Sequence, residues 1–220
     1  LNARPIVADD GRYLSPVDGV VSQCGLVTSG QLLQAKGAYY SVSSLLASPL
    51  NDATANFEPR FFLTAYLSPR DYHRIHMPIS GRLLSMTYVP GSLFAVKPSS
   101  VEGISGLFAR NERVVCLFDT DHGKMAMVLV GAMIVGSMST VWHGVVKSAD
   151  RTPQHWSYLD QDQAIHLQQG EEMGRFLLGS TVILLMEDEV TDVVAHAGVD
   201  LQMGQVFARS TASDSCAQPL

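Results

Sequence analysis

Glycine or proline interrupts this chain about every ten residues, and short runs of Val, Ile, Leu and aromatic residues lie between the breaks. Runs of that length suit strands better than helices. The expected strands are 19–24, 60–67, 81–88, 113–119, 124–135, 142–146 and 181–186. Pro90-Gly91 and Asp121-His122-Gly123 read as turns. The second separates two apolar runs and predicts a hairpin with Cys116 and Met127 in its arms. Helical signal is thinner: one short helix within 37–47, and a helical turn from Pro69 to His73 with Ser68 as N-cap. The polar segment 147–169 reads as a long loop or polar hairpin, and 210–220 as a frayed tail. No repeat or linker is visible, so a single domain over 1–220 is expected. Its fold class is mainly β, an antiparallel barrel or sandwich with a few short helices.

Composition narrows the function classes. Of 220 residues, 46% are apolar and 16% charged, which excludes a disordered chain and a coiled coil. Fifteen Lys+Arg against twenty-one Asp+Glu give a net charge of −6, with no basic cluster to attract nucleic acid. Bulk charge would not draw the chain to an anionic membrane, so any membrane contact must be apolar. Cys24, Cys116 and Cys216 are widely spaced, forming neither a metal-type pair nor a disulfide framework, and they fit a reducing compartment. The longest apolar stretch, 125–136, falls short of the ~20 residues a spanning helix needs. The chain opens at Leu1 and not at a methionine, so a further N-terminal segment with targeting or membrane information is expected.

Three constellations can carry chemistry. In Tyr72-His73-Arg74-Ile75-His76-Met77-Pro78, two histidines three apart could share a face of a helical turn. That suits a metal pair or an acid/base pair, against the plainer reading of one packed and one solvated histidine. A metal needs a third ligand, and His122, His143, His155, His166 and His196 make no second ligand motif, so no metal is expected. In Ser15-Pro16-Val17-Asp18-Gly19, Asp18 sits at the corner of a turn, either bonding its own backbone or orienting a histidine. In Phe176-Leu177-Leu178-Gly179-Ser180-Thr181-Val182-Ile183-Leu184-Leu185, an apolar run is interrupted by Gly-Ser-Thr and resumes. It is a strand with a glycine bulge, or a site where a serine hydroxyl turns on the carbonyl before it. With a base to take its proton, that hydroxyl would give an ester by N→O acyl shift; His76 and Asp18 have the residue types of base and orienter.

Here the chain resembles the phosphatidylserine decarboxylase proenzymes of the bacterial and mitochondrial type. The likeness rests on those three blocks, on Tyr88-Val89-Pro90-Gly91 and Leu107-Phe108-Ala109-Arg110-Asn111-Glu112-Arg113, and on Cys116-Leu117-Phe118-Asp119-Thr120 and Glu172-Met173-Gly174-Arg175-Phe176. All run in family order between about Ser15 and Met186. The resemblance implies self-cleavage between Gly179 and Ser180 into 1–179 and 180–220, with the remnant of Ser180 becoming an N-terminal pyruvoyl group. It implies Asp18, His76 and Ser180 as the charge relay for the cut, and His73 as the residue that assists decarboxylation or holds substrate.

The implied cofactor is that covalent pyruvoyl group, with no pyridoxal phosphate and no metal. Its ketone would form a Schiff base with the amine of phosphatidylserine and draw electrons as CO2 leaves, giving phosphatidylethanolamine. The implied partners are the lipid, a membrane surface, the two retained chains and a second copy in a homodimer, with no nucleic acid. The implied location is peripheral, on the cytoplasmic face of a bacterial inner membrane. Two other classes remain. A serine hydrolase using Ser180, His76 and Asp18 would keep a free hydroxyl, although Leu178-Gly179-Ser180-Thr181-Val182 is no Gly-x-Ser-x-Gly elbow. A non-catalytic β-rich carrier would tolerate substitution at Ser180 and both histidines.

Overall fold

The computed structural model of the chain describes residues 6, 11–47, 56–132, 138–147, 151–159, 164–176 and 180–211. At its centre is a nine-stranded sheet. Across it run Gln154–Ser157, Gly81–Val89, Arg113–Thr120, Gly123–Val130, Ser180–Met186, Phe61–Leu67, Gly19–Leu26 and Asp200–Leu201, with His166–Leu167 also paired to Gly81–Val89. A four-stranded sheet orders Gly144–Val146, Met138–Thr140, Glu172–Phe176 and Arg74–His76. A three-stranded sheet joins Arg12–Leu14, Val206–Ser210 and Val190–Thr191, and Gln31–Ala35 pairs with Ala38–Ser41. The helices are Val42–Leu46, Pro98–Gly103 and Leu107–Arg110.

The mainly β expectation holds, but the barrel does not. The outermost strands of the nine-stranded sheet, Gln154–Ser157 and Asp200–Leu201, do not meet, so the sheet is open. Its two faces carry different layers. Val182, Leu184 and Met186 share one apolar cluster with Ile75, Met138, Met173 and Phe176 of the four-stranded sheet. Ile183 and Leu185 share the other with Leu45, Val101, Leu107 and Phe108 of the helices. A strand covered on both faces needs no polar side, which is why 181–186 reads as an unbroken apolar run. Each leucine buried there contributes roughly 1.5–3 kcal/mol.

The hairpin around Asp121-His122-Gly123 forms as expected, with Cys116 directly opposite Met127. The one short helix expected within 37–47 is Val42–Leu46, preceded by the strand Ala38–Ser41, with Ser41 Oγ accepting the Ser44 N–H at 3.1 Å. Buried Arg113 closes that helix by donating to the carbonyls of Ser44 and Leu45, and also to Asn111. Burial lowers its pKa to about 10, so it stays charged at neutral pH. The short turn expected at Pro69 forms, but as a closed loop in place of a helical one: Ser68 N–H bonds Asp71 Oδ2 at 2.7 Å, and Asp71 N–H bonds Ser68 O at 3.0 Å. The histidine motif then continues as the strand Arg74–His76, so its two histidines share no helical face. The polar segment contributes two edge pieces, Gln154–Ser157 and His166–Leu167. The expected tail begins too early, since Val206–Ser210 is a strand and Ser210 is buried; 212–220 lie outside the described residues.

Gly19 fixes how closely the Asp18 turn approaches the central sheet. A Cβ there would fall on the carbonyl oxygen of Tyr66, well inside van der Waals contact. Gly103, in contrast, has open space where its Cβ would be and an ordinary helical backbone. Gly19→Val is expected to cost roughly 1–3 kcal/mol in urea denaturation, whereas Gly103→Ala should be neutral or stabilising by up to ~1 kcal/mol. Equal effects at the two sites would contradict this packing.

Candidate active site

Ser180 opens the central strand opposite Leu67. Strand alternation puts its side chain on the face of Val182, Leu184 and Met186. It is 0% exposed, and its Oγ has no hydrogen-bond partner among the described residues. Gly179, on the other side of the expected cut, lies outside the described residues.

Two short backbone connections bring the histidine motif to this strand. Leu67 leads into the Ser68–Asp71 loop and so to His73, whose carbonyl accepts the N–H of Phe176 at 3.0 Å, shortly before Ser180. His73 Nδ1 lies 2.5 Å from the carbonyl of Asp71, and Nε2 is buried without a partner among the described residues. A carbonyl only accepts, so Nδ1 carries the hydrogen and Nε2 of the neutral ring keeps its lone pair.

His76 is 1% exposed and held on three sides. Its Nδ1 donates to the carbonyl of Gly170 at 2.9 Å, its Nε2 lies 3.1 Å from Tyr72 Oη, and its ring stacks on Tyr72 at 5.7 Å and 22°. By the same logic Nδ1 is the protonated nitrogen, and the Nε2 lone pair accepts from the phenol. Burial lowers the imidazole pKa, helped by the Arg74 cation, while the Gly170 carbonyl and Glu172 oppose the shift. Gly170 lies in the turn 168–171 with φ +81°, a conformation that favours glycine, and the turn is tied to Met77 by two backbone bonds. Glu172, cross-strand from His76, pairs with Arg74 at 2.6 Å and Arg175 at 3.0 Å.

Asp18 is close to this set through the backbone, because the carbonyl of Pro16 accepts the His76 N–H at 2.9 Å. Its Oδ1 accepts the N–H of Met203 at 2.8 Å. The structure therefore gathers Asp18, His73, His76 and Ser180 around one junction of elements, but directs the ring nitrogens of His76 to Gly170 and Tyr72, not to Asp18 or Ser180. The contacts of Gly170 and Met203 run through backbone atoms and leave no side-chain signal in a sequence. Tyr72 stands inside the motif, yet only the fold brings its hydroxyl back to His76.

A polar groove of about 550 Å³, lined in part by Arg82, Asp119, His122 and His166, lies at the other end of the sheet. It adjoins the turn before Gly123, whereas the far end of that strand, Val130, pairs with Thr181. Among the described residues, no three His, Cys, Asp or Glu side chains are grouped to hold a metal ion, and no helix is long and apolar enough to cross a membrane.

The family model for phosphatidylserine decarboxylase matches residues 1–209. The chain belongs to the phosphatidylserine decarboxylase family. The phosphatidylserine decarboxylase proenzyme of Methylobacillus flagellatus is 59% identical over 184 residues, which are 83% of this chain and 64% of that one. That of Chromobacterium violaceum is 58% identical over 184 residues, with the same coverage of 83% and 64%. That of Shewanella loihica is 51% identical over 212 residues, 94% of this chain and 73% of the relative. The chain thus spans a little under two thirds of the first two relatives.

The depressed pKa of His76 gives stability a definite pH dependence. The contribution is fully present above the unfolded-state value of ~6.5 and is lost as pH falls through the lower folded-state value. Urea titrations from pH 8 downward should show this acid loss, and it should flatten in His76→Gln. Parallel curves for the two proteins would mean that His76 titrates alike folded and unfolded.

Proposed function

We propose that the chain is a phosphatidylserine decarboxylase proenzyme that cuts itself between Gly179 and Ser180 and then converts phosphatidylserine to phosphatidylethanolamine. The Ser180 hydroxyl carries this reading. It is fully buried with no partner among the described residues, which costs about 1–3 kcal/mol, and a role in the chemistry is one reason to keep such an orphan. It also fits a group made in place, since the atom that must attack has no hydrogen-bond partner among the described residues.

His76 is the base. Its lowered pKa keeps it neutral near pH 7, and its lone pair is on Nε2. Once turned from Tyr72 to Ser180, that nitrogen takes the hydroxyl proton as Oγ bonds to the Gly179 carbonyl carbon, and the imidazolium passes it to the Ser180 nitrogen as the C–N bond breaks, leaving an ester and a free amine. Removal of the Ser180 α-hydrogen then breaks the Cβ–O bond, freeing a carboxylate at Gly179. The remaining dehydroalanine hydrolyses to a ketone, with loss of ammonia. Asp18 stabilises the imidazolium that forms on the way. The resulting pyruvoyl group supplies an electron-accepting carbonyl for loss of CO2 from the amine-bearing lipid headgroup. His73, whose buried Nε2 has no partner among the described residues, holds the carboxylate of the substrate or returns the proton to the carbon that loses it.

The same reading treats the chain as one domain whose two pieces stay together, since Ser180–Met186 pairs on both sides with strands of the first piece. It puts the enzyme at a membrane surface as a homodimer, on the cytoplasmic face of a bacterial inner membrane. Exposed apolar residues such as Leu26 and Val194 support the membrane contact.

Denaturing electrophoresis should resolve two pieces, the smaller beginning at residue 180 with a blocked N-terminus, and Ser180→Ala should give one uncut, inactive chain. Fully active enzyme in one intact chain would refute the reading. Asp18→Asn keeps an Oδ1 acceptor for Met203 but removes the charge. It should slow cleavage by roughly 10²-fold or more with little change in melting temperature. A melting temperature that falls along with the rate would make Asp18 structural only.

A further inference from the structure

We propose that Tyr72 is a positioning residue that, with the carbonyl of Gly170, sets the tautomer and aim of His76 in the uncut chain. This rests on the reading of His76 as the base for self-cleavage. The two contacts divide the work. The Gly170 carbonyl at 2.9 Å can only accept, so it fixes the hydrogen on Nδ1. The Tyr72 hydroxyl at 3.1 Å donates to the lone pair this leaves on Nε2. The stacked phenol, at 5.7 Å and 22°, covers the ring and limits its rotation. Each partner is itself anchored. Gly170 is fixed by its turn and by Met77, and Tyr72 follows the loop closed by Ser68 and Asp71.

This arrangement acts on titration as well as aim. A hydrogen bond to the lone pair exists only while the ring is neutral, so it favours the neutral form. Among the described residues, the charged groups that act on His76 are Arg74, on its own strand, and Glu172, on the adjacent one. They act in opposite directions and pair with each other at 2.6 Å. Tyr72 thereby keeps the base unprotonated while holding its lone pair away from bulk water.

Tyr72→Phe tests this, because it keeps the stacking ring and removes only the hydroxyl. In the uncut Ser180→Ala background, the His76 pKa measured by NMR should rise by roughly half to one unit on adding Tyr72→Phe, the size one hydrogen bond to the neutral form supports. Nitrogen-15 shifts in the Ser180→Ala chain should report hydrogen on Nδ1. In the otherwise native chain, the pH midpoint of self-cleavage should move upward by the same amount in Tyr72→Phe. An unchanged His76 pKa and midpoint, or hydrogen on Nε2, would overturn the proposal. Tyr72→Leu, which also removes the ring, should shift the pKa at least as far, and a shift there without one in Tyr72→Phe would reduce Tyr72 to a cover. Absence of cleavage at every pH in the native chain would instead defeat the function reading, and the NMR titration would still report on the contact.

Discussion

The strand Ser180–Met186 sits in the middle of the nine-stranded sheet, bonded on one side to Phe61–Leu67 and on the other to Gly123–Val130. Everything else depends on that insertion. It buries both faces of a seven-residue segment, joins the two apolar clusters across one strand, and puts Ser180 where water does not reach. A break in the chain just before this strand would leave its ladder whole on both sides. Further ties reinforce it beyond the strand. Asp18 holds Met203, Ser15 exchanges backbone bonds with Gly204 and Gln205, and Tyr13 Oη donates to Asp188 at 2.8 Å. The part of the chain after residue 180 is woven into the part before it, so covalent continuity at that point adds little to the fold.

The strands were legible because their signal is local. Valine, isoleucine and aromatic runs bounded by Gly, Pro or Asp read directly as buried strands, and the hairpin register at Cys116 and Met127 follows from the turn between them. The turn after Ser68 was legible but its kind was not, because the same residues serve another structure. Ser68 and Asp71 do satisfy backbone groups, but by closing a loop onto each other, as short polar side chains also do in turns. The edge strands 154–157 and 166–167 escaped notice because an edge exposed on alternate residues carries little apolar pattern. Pro98 opens a helix at a favoured position, yet a six-residue helix has too few residues to show a period.

The site was legible in part for the opposite reason: its signal is a set of exact residues in order, not a pattern. Ser180, His73, His76 and Asp18 could be chosen by type and by family likeness, and the fold gathers them around one junction. The partners that hold them could not be chosen that way. The orienting group on His76 Nδ1 is a main-chain carbonyl, and the group on Asp18 Oδ1 is a main-chain amide. Any residue offers such atoms, and only the positive φ of Gly170 hints that the carbonyl there is specially aimed.

The hydrogen bonds around the site leave an imbalance that bears on how a cut would begin. The Ser180 hydroxyl is buried without a partner among the described residues, while the imidazole of His76 has two. Moving Nε2 from the phenol to the serine gives up a bond worth about 0.5–1.5 kcal/mol and relieves an orphan worth about 1–3 kcal/mol. Tyr72 is partly exposed, so its freed hydroxyl can bond to water. The exchange is close to balanced or downhill on those terms. What opposes it is the packing that keeps the ring stacked and tied to Gly170. On the proposed reading, self-cleavage would be limited by aim more than by basicity, because burial already favours the neutral His76 ring and Ser180 Oγ has no partner among the described residues.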